Sequence, residues 1–181
     1  MATEIEKKYR LGEGDADRIA AALEEFGAEP KGEDEEENII FSSPDLAGKS
    51  AIVRIRRVGD RTVLTFKRRL PGLSDLKQQI EFETGVADSE AMSQILKSLG
   101  LEPVLVYEKR RRKWQFRSAE VVIDLLPFGL FMEIEGSVTA IKEAEMLLEA
   151  DLLEPVAETY PRLTAIHGNR IDGRIESRFT E

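Results

Sequence analysis

Charged residues spaced two apart recur along this chain, and their chemistry sorts by segment. In an extended first segment Glu4, Glu6 and Lys8 project together, because side chains alternate between the two faces of a strand. Arg54 and Arg56 share one face while Val53 and Ile55 take the other. Thr65, Lys67 and Arg69 oppose Leu64 and Phe66, and Glu81 and Glu83 oppose Ile80 and Phe82. Lys109, Arg111 and Lys113 form a further set; Asp124 opposes Ile123 and Leu125, and Glu133 and Glu135 oppose Met132 and Ile134. Carboxylates suit hard cations such as Mg2+ or Mn2+, which prefer oxygen ligands, and Arg and Lys suit phosphate oxygens. Both sets together point to a metal-complexed polyphosphate. No Walker loop is present, so a phosphate site would be built from side chains rather than from a glycine-rich backbone cradle.

One such strand is ordinary, since a sheet commonly shows one face to water and surface ion pairs contribute little. Recurrence across seven segments changes the weighing. The acids lie towards both ends of the chain and the bases in the middle strands. This pattern predicts a closed or nearly closed sheet that turns its charged faces inward. The apolar faces then point outward and are covered by amphipathic helices. Unpaired buried charge is costly, so the two signs must compensate one another inside.

The elements that would position these residues are short. Strands are expected over 4–11, 38–41, 51–58, 62–69, 77–86, 104–116, 120–126 and 130–136, with a hairpin around Gly59-Asp60-Arg61. Helices are expected over 15–26, 89–99 and 139–149, with a shorter one beginning near Thr159. Pro44 and Gly48 bracket a loop. The acidic run 33–37 reads as solvated, Trp114 as packing, and the single histidine, His167, as exposed or capping.

Composition narrows the function classes. A chain of 181 residues fits one domain over 1–181, long enough to bury a core. Thirty-five acids against 26 bases leave a net charge of −9, which argues against general attraction to nucleic acid or an anionic membrane. The absence of cysteine excludes disulfides, thiolate metal sites and a cysteine nucleophile. The first residues, Met1-Ala2-Thr3-Glu4-Ile5-Glu6, lack the apolar core of a signal peptide, and no apolar stretch reaches membrane-spanning length. A cytoplasmic location is expected. The oligomeric state, monomer or homodimer, is left open.

The motifs resemble the CYTH family, also called triphosphate tunnel metalloenzymes. The N-terminal signature ExExK stands as Glu4-Ile5-Glu6-Lys7-Lys8, followed by Arg54-Ile55-Arg56, Thr65-Phe66-Lys67 and Glu81-Phe82-Glu83. Lys109-Arg110-Arg111, Asp124 and Glu133-Ile134-Glu135 continue the family's order, and Thr159-Tyr160-Pro161-Arg162-Leu163 is similar to its closing helix start. The resemblance implies an α+β fold: an antiparallel eight-stranded β tunnel, or barrel, with helices packed outside, holding a triphosphate and one or two divalent ions. The family includes class IV adenylyl cyclases, thiamine triphosphatases and inorganic triphosphatases.

By the same resemblance, Lys8, Arg54, Arg56, Lys67, Lys109 and Arg111 would hold phosphates. Glu4, Glu6, Asp124, Glu133 and Glu135 would bind Mg2+ or Mn2+ directly or through water. Glu81 and Glu83 complete the acidic set and, with Lys8, Arg56 and Lys67, would act on the reacting phosphoryl group. Some family members contact phosphate with basic residues near the C-terminus, where Arg170 and Arg174 stand here. The expected reaction is hydrolysis of tripolyphosphate or a small organic triphosphate, because water is abundant and no nucleoside-recognition motif is visible. The alternatives are a class IV adenylyl cyclase, making cyclic AMP and pyrophosphate from ATP, and a non-catalytic polyphosphate- or nucleotide-binding module.

Overall fold

The computed structural model describes residues 3–71 and 77–180; Met1 and Ala2 of the charged N-terminal segment lie outside them. Eight strands build the frame: β1 (Thr3–Leu11), β2 (Glu29–Ser42), β3 (Ala51–Val58), β4 (Arg61–Arg69), β5 (Lys77–Val86), β6 (Glu102–Phe116), β7 (Ala119–Leu126) and β8 (Gly129–Glu135). They pair in the order β6-β2-β3-β4-β5-β1-β8-β7, and β7 returns to β6 to close the ring. Every junction in the ring is antiparallel. The expected closed antiparallel barrel is therefore the fold. Three short strands add to it: β9 (Glu154–Pro155) against β1, and β10 (Asn169–Ile171) hairpinned to β11 (Arg174–Ser177). β11 runs parallel to β6 over Leu105–Tyr107, below the stretch from Arg110 onward that pairs with β7.

The helices are α1 (Asp15–Glu25), α2 (Pro44–Gly48), α3 (Ser89–Ser98), α4 (Val138–Leu147) and α5 (Tyr160–His167). Four lie where the sequence predicts them, with ends shifted by one or two residues. The fifth, α2, replaces an expected loop. Pro44 sits in its first turn, where the missing N–H and fixed φ do no harm, and Ser43 Oγ caps it by accepting from the Leu46 N–H at 3.3 Å. None of the helices is long and apolar enough to cross a membrane.

Alternation places the apolar side of each strand outside the barrel. Tyr9, Val121, Ile123, Met132 and Ile134 are buried there against Ile19 and Leu23 of α1 and Ile141 and Ala144 of α4. Leu96 of α3 covers Phe41 and Ile55 in the same way. Tyr160 and Leu163 of α5 join Ile40, Leu105, Leu126 and Phe131 in a third cluster, whose strand residues share the inward parity and lie at one end of the barrel interior. Trp114 packs at the edge of the first cluster, as expected, and His167 stacks on Phe128 with ring centroids 5.4 Å apart.

β2 is longer than expected because its acidic half has a partner. Glu33, Asp34, Glu35 and Glu36 stand opposite Arg112, Arg111, Arg110 and Lys109 of β6, so cross-strand attraction stabilises pairing that β-propensity alone does not favour.

The chain leaves α5 through Gly168, where a Cβ would lie 2.7 Å from both the Thr164 carbonyl oxygen and Ile175 Cγ2. Two rigid elements approach each other through this gap, so Gly168→Ala should lower stability by about 1–3 kcal/mol, as overpacking does. Denaturant unfolding of the variant checks this; an unchanged midpoint would mean that the β10–β11 hairpin gives way freely.

Candidate functional site

The inward positions converge on one cavity of about 770 Å3. It is lined from β1 by Glu4, Glu6 and Lys8, from β3 by Arg54 and Arg56, and from β4 by Lys67 and Arg69. Glu81 and Glu83 enter from β5, Lys109 and Arg111 from β6, Glu120 from β7, and Glu133 and Glu135 from β8. Every proposed phosphate-holding residue thus lines the same space. Lys8, rather than its neighbour, is the lysine that points in: Lys7 faces outward and bonds Glu145 of α4 at 2.6 Å. Of the proposed metal ligands Glu4, Glu6, Glu133 and Glu135 line the cavity, while Asp124 is fully buried behind it. Arg170 and Arg174 lie outside; Arg174 pairs with Glu176 at 2.6 Å.

Asp124 accepts from Arg111 Nε at 2.7 Å and from Arg111 Nη2 at 2.6 Å, and from the Tyr160 hydroxyl at 2.8 Å. Arg111 Nη2 also donates to Glu133 at 2.8 Å, and Lys8 lies 3.3 Å from the other Glu133 oxygen. Burial opposes the charge of Glu133, but Lys8, Arg111 and Lys109 hold its pKa far below the usual carboxylate range. Lys109 is pushed down to about 8, first by burial and then by Arg111. Lys67 pairs with Glu81 and, at 3.8 Å, with Glu4. Arg54 lies 3.7 Å from both Glu81 and Glu83, and its Nε is buried without an acceptor.

α5 and the residues just before it line one end of the cavity. Lys8 and Lys77 both donate to the Glu158 carbonyl oxygen at 3.1 Å, and the Lys8 ammonium sits 3.4 Å from the centroid of the Tyr160 ring. Tyr160 is held by the N-cap Thr159, which accepts from the Arg162 N–H at 3.3 Å.

The sequence reading missed Glu36. The acidic run was expected to be solvated, yet Glu36 is buried, 3.2 Å from Arg56 and 3.3 Å from Lys109. Burial opposes its charge, but Lys109, Arg56 and Arg111 depress its pKa strongly. Its neighbours Glu35 and Glu37 are not buried. The signal was present in the alternation through the run, but nothing local said which parity faced in. Lys77, which opens β5 and lies 3.5 Å from Glu6, was also missed, although it shares the parity of Glu81 and Glu83.

Two carboxyls lack enough positive partners. Burial, then a hydrogen bond to Glu81, raises Glu4 to about 8. Burial, then the nearby charges of Glu6 and Glu120, raises Glu135 to about 7. Hard carboxylate oxygens crowded in this way suit a divalent cation, whose charge would replace the protons. Asp124 and Glu133 fit less well, because Arg and Lys already occupy their oxygens. Among the described residues no three His, Asp or Glu side chains already form a ready metal site. A cation would have to draw Glu4, Glu6 and Glu135 together.

These shifts set a pH trend. Between about pH 5 and 8 the folded protein keeps protons on Glu4 and Glu135 that the unfolded chain, with carboxyls near 4.5, has lost. The metal-free protein should therefore lose stability as pH rises through that window, by about 1–2 kcal/mol after discounting for partial exposure. Glu36 and Glu133 act only below the usual carboxylate range, and Lys77 and Lys109, at about 8, act above the window. Melting curves in chelator from pH 5 to 8 test the trend, and Glu135→Gln should flatten it; a melting temperature that climbs with pH would contradict it.

The comparisons with known proteins agree with this geometry. The sequence profile of the CYTH domain matches residues 2–160. MJ0240 of Methanocaldococcus jannaschii, provisionally named an adenylate cyclase, is 28% identical over 150 residues, covering 81% of this chain and 83% of that protein. Among solved structures, PH1012 of Pyrococcus horikoshii OT3 superposes with a TM-score of 0.75 at 23% identity, covering 88% of this chain and 98% of its own. HpAC1 of Hippeastrum, provisionally named an adenylyl cyclase and described as having a dominant triphosphatase activity, superposes with a TM-score of 0.63 at 18% identity, covering 87% of this chain and 92% of its own. The two structural likenesses speak for the fold. With the profile spanning nearly the whole chain, the ring of inward charges belongs to a known architecture: this chain is a member of the CYTH domain family.

Proposed function

We propose that the protein, acting as one domain, hydrolyses a linear triphosphate with the help of a divalent cation and releases orthophosphate. The observation that carries this reading is the balance of the lumen. Its lining includes eight acidic and eight basic residues. A polyanion entering alone would leave this balanced interior strongly negative. A polyanion entering with Mg2+ or Mn2+ brings its own compensation, and its oxygens replace the carboxylates as partners of Arg and Lys.

Glu4, Glu6 and Glu135 would hold the cation, and Asp124 and Glu133 would act through the bases they pair with. The cation supplies charge neutralisation at the phosphoryl oxygens. Arg54, Arg56 and Arg111 offer forked donors to the phosphate chain, and Lys8, Lys67 and Lys109 offer point charges. The unsatisfied Nε of Arg54 is a donor available to a phosphoryl oxygen. Glu81 and Glu83, each 3.7 Å from Arg54, are the carboxylates beside the clamp that orient the attacking water and take its proton. The bond from the terminal phosphorus to the bridging oxygen breaks, and the diphosphate leaves with that oxygen.

Recognition should follow the phosphate chain. The apolar and aromatic part of the lining is Ile52, Tyr107, Ala157, Tyr160 and Pro161. Tyr107 is buried, and the Tyr160 ring faces Lys8. Tripolyphosphate or a small organic triphosphate should then be preferred over ATP. The provisional name of the 28% identical relative favours a second reading, adenylyl cyclisation. That reaction needs adenosine held so that its ribose hydroxyl meets the α-phosphorus.

Incubation with tripolyphosphate, thiamine triphosphate and ATP, each with Mg2+ or Mn2+, separates the readings. Orthophosphate from tripolyphosphate, abolished by chelator, is expected. Cyclic AMP and pyrophosphate as the main products from ATP would assign the cyclase, and tight cation-dependent binding without turnover would assign a binding module. Arg56→Ala or Lys67→Ala should lower kcat/KM for tripolyphosphate about 100-fold, the scale of removing one group that stabilises transition-state charge. Ligand should also raise the melting temperature of the parent more than that of either variant.

A further inference from the structure

Arg69 and Arg162 differ from the other bases of the cavity. Lys8, Arg54, Arg56, Lys67, Lys109 and Arg111 each reach a carboxylate within 4 Å. Arg69 and Arg162 line the same cavity, are solvent-exposed, and have no side-chain hydrogen bond or ion pair among the described residues. Arg69 follows Lys67 on the inward side of β4, one strand repeat or about 7 Å further along. Its backbone N–H bonds the Ser50 carbonyl at 3.1 Å, beside the start of β3. Ile52, two residues on, packs against the cluster that holds Tyr160 and Leu163 of α5. Arg162 lies in the first turn of α5 itself. Both arginines therefore belong to the α5 end of the cavity, beyond the paired clamp.

We infer that Arg69 and Arg162 form a second anion site, which takes the phosphates beyond the third of a linear polyphosphate. The inference rests on the triphosphate reading of the clamp and extends it to longer chains. The space allows it: about 770 Å3 corresponds to roughly 25 water volumes at ~30 Å3 each, against about a dozen heavy atoms in tripolyphosphate. The charge favours it as well. An anion arriving at the clamp must displace carboxylates, whereas Arg69 and Arg162 have no carboxylate partner to be displaced among the described residues. In each turnover water adds to the terminal phosphorus held in the clamp, and the bond from that phosphorus to its bridging oxygen breaks. The electron pair stays on that oxygen, the water's proton passes to the clamp carboxylate and then to solvent, and the chain leaves one phosphate shorter. Because the two arginines are exposed, their contribution should shrink as salt is raised.

The test compares kcat/KM for tetrapolyphosphate and a longer linear polyphosphate with that for tripolyphosphate, all with Mg2+. The protein should favour the longer chains. The double variant Arg69→Gln/Arg162→Gln should lose that preference about tenfold or more, the scale of a charge-assisted contact, and less so at high salt. A double variant that keeps the preference overturns the inference, as does a parent that favours tripolyphosphate over both longer chains. If none of the three is hydrolysed, it is the triphosphatase reading that fails, and calorimetric binding of tetrapolyphosphate with Mg2+ then decides the site. Binding weakened about tenfold in the double variant supports it, and equal binding overturns it.

Discussion

The fork of Arg111 joins three strands through charge. From β6 it reaches Asp124 on β7 and Glu133 on β8, and Asp124 in turn accepts from Tyr160 of α5. Asp124 is fully buried, and an unpaired carboxylate there would cost several kcal/mol. β6, β7 and β8 follow one another as two hairpins, which bring these three residues together across neighbouring strands. Pairs between strands distant in sequence continue the pattern around the ring: Lys8 with Glu133, Lys109 with Glu36, and Arg54 with Glu81. The barrel is thus organised by charges that are affordable only in one another's company.

That arrangement inverts the usual division between core and surface. The inside is polar and holds a cavity, so the apolar packing that stabilises the fold has been moved outside the barrel, under α1, α3 and α4. Stability and binding are thereby separated in space. The outer clusters resist unfolding, while the inner charges gain little from one another and are free to exchange partners when a ligand enters. α5 is the exception to that division. Leu163 and Tyr160 pack on inward-facing apolar residues such as Phe131 at one end of the barrel, and Tyr160 and the Glu158 carbonyl just before the helix bond Asp124, Lys8 and Lys77.

The two ends of the lumen are unequal. The clamp bases are satisfied by acids, whereas burial and neighbouring carboxylates raise Glu4 to about 8 and Glu135 to about 7. A cation at that acidic sector and a polyanion along the bases would each relieve what the other introduces, so their binding should be mutually supportive. Asp124 and Glu133 take a different part from the other carboxylates, since their oxygens hold the clamp bases in place.

The alternation of charges by itself determined which residues share a face, and with it the inward set from Glu4 to Glu135 and the closed barrel. It could do so because strand periodicity is local: each side chain's direction follows from its neighbours two residues away. The helices α1, α3, α4 and α5 were legible for a similar reason, from apolar spacing and terminal residues. Only the tertiary structure decided that Glu36 is a buried partner of Arg56 and Lys109 while Glu35 and Glu37 are not, because parity in an all-acidic run has no apolar face to orient it. Only the tertiary structure brought Tyr160 to Asp124, set Glu4 beside Lys67 and Glu81, and turned Arg69 and Arg162 into the cavity without an ion-pair partner among the described residues. Those outcomes depend on which strand lies beside which and on the register between them, and both are settled between residues far apart in the chain.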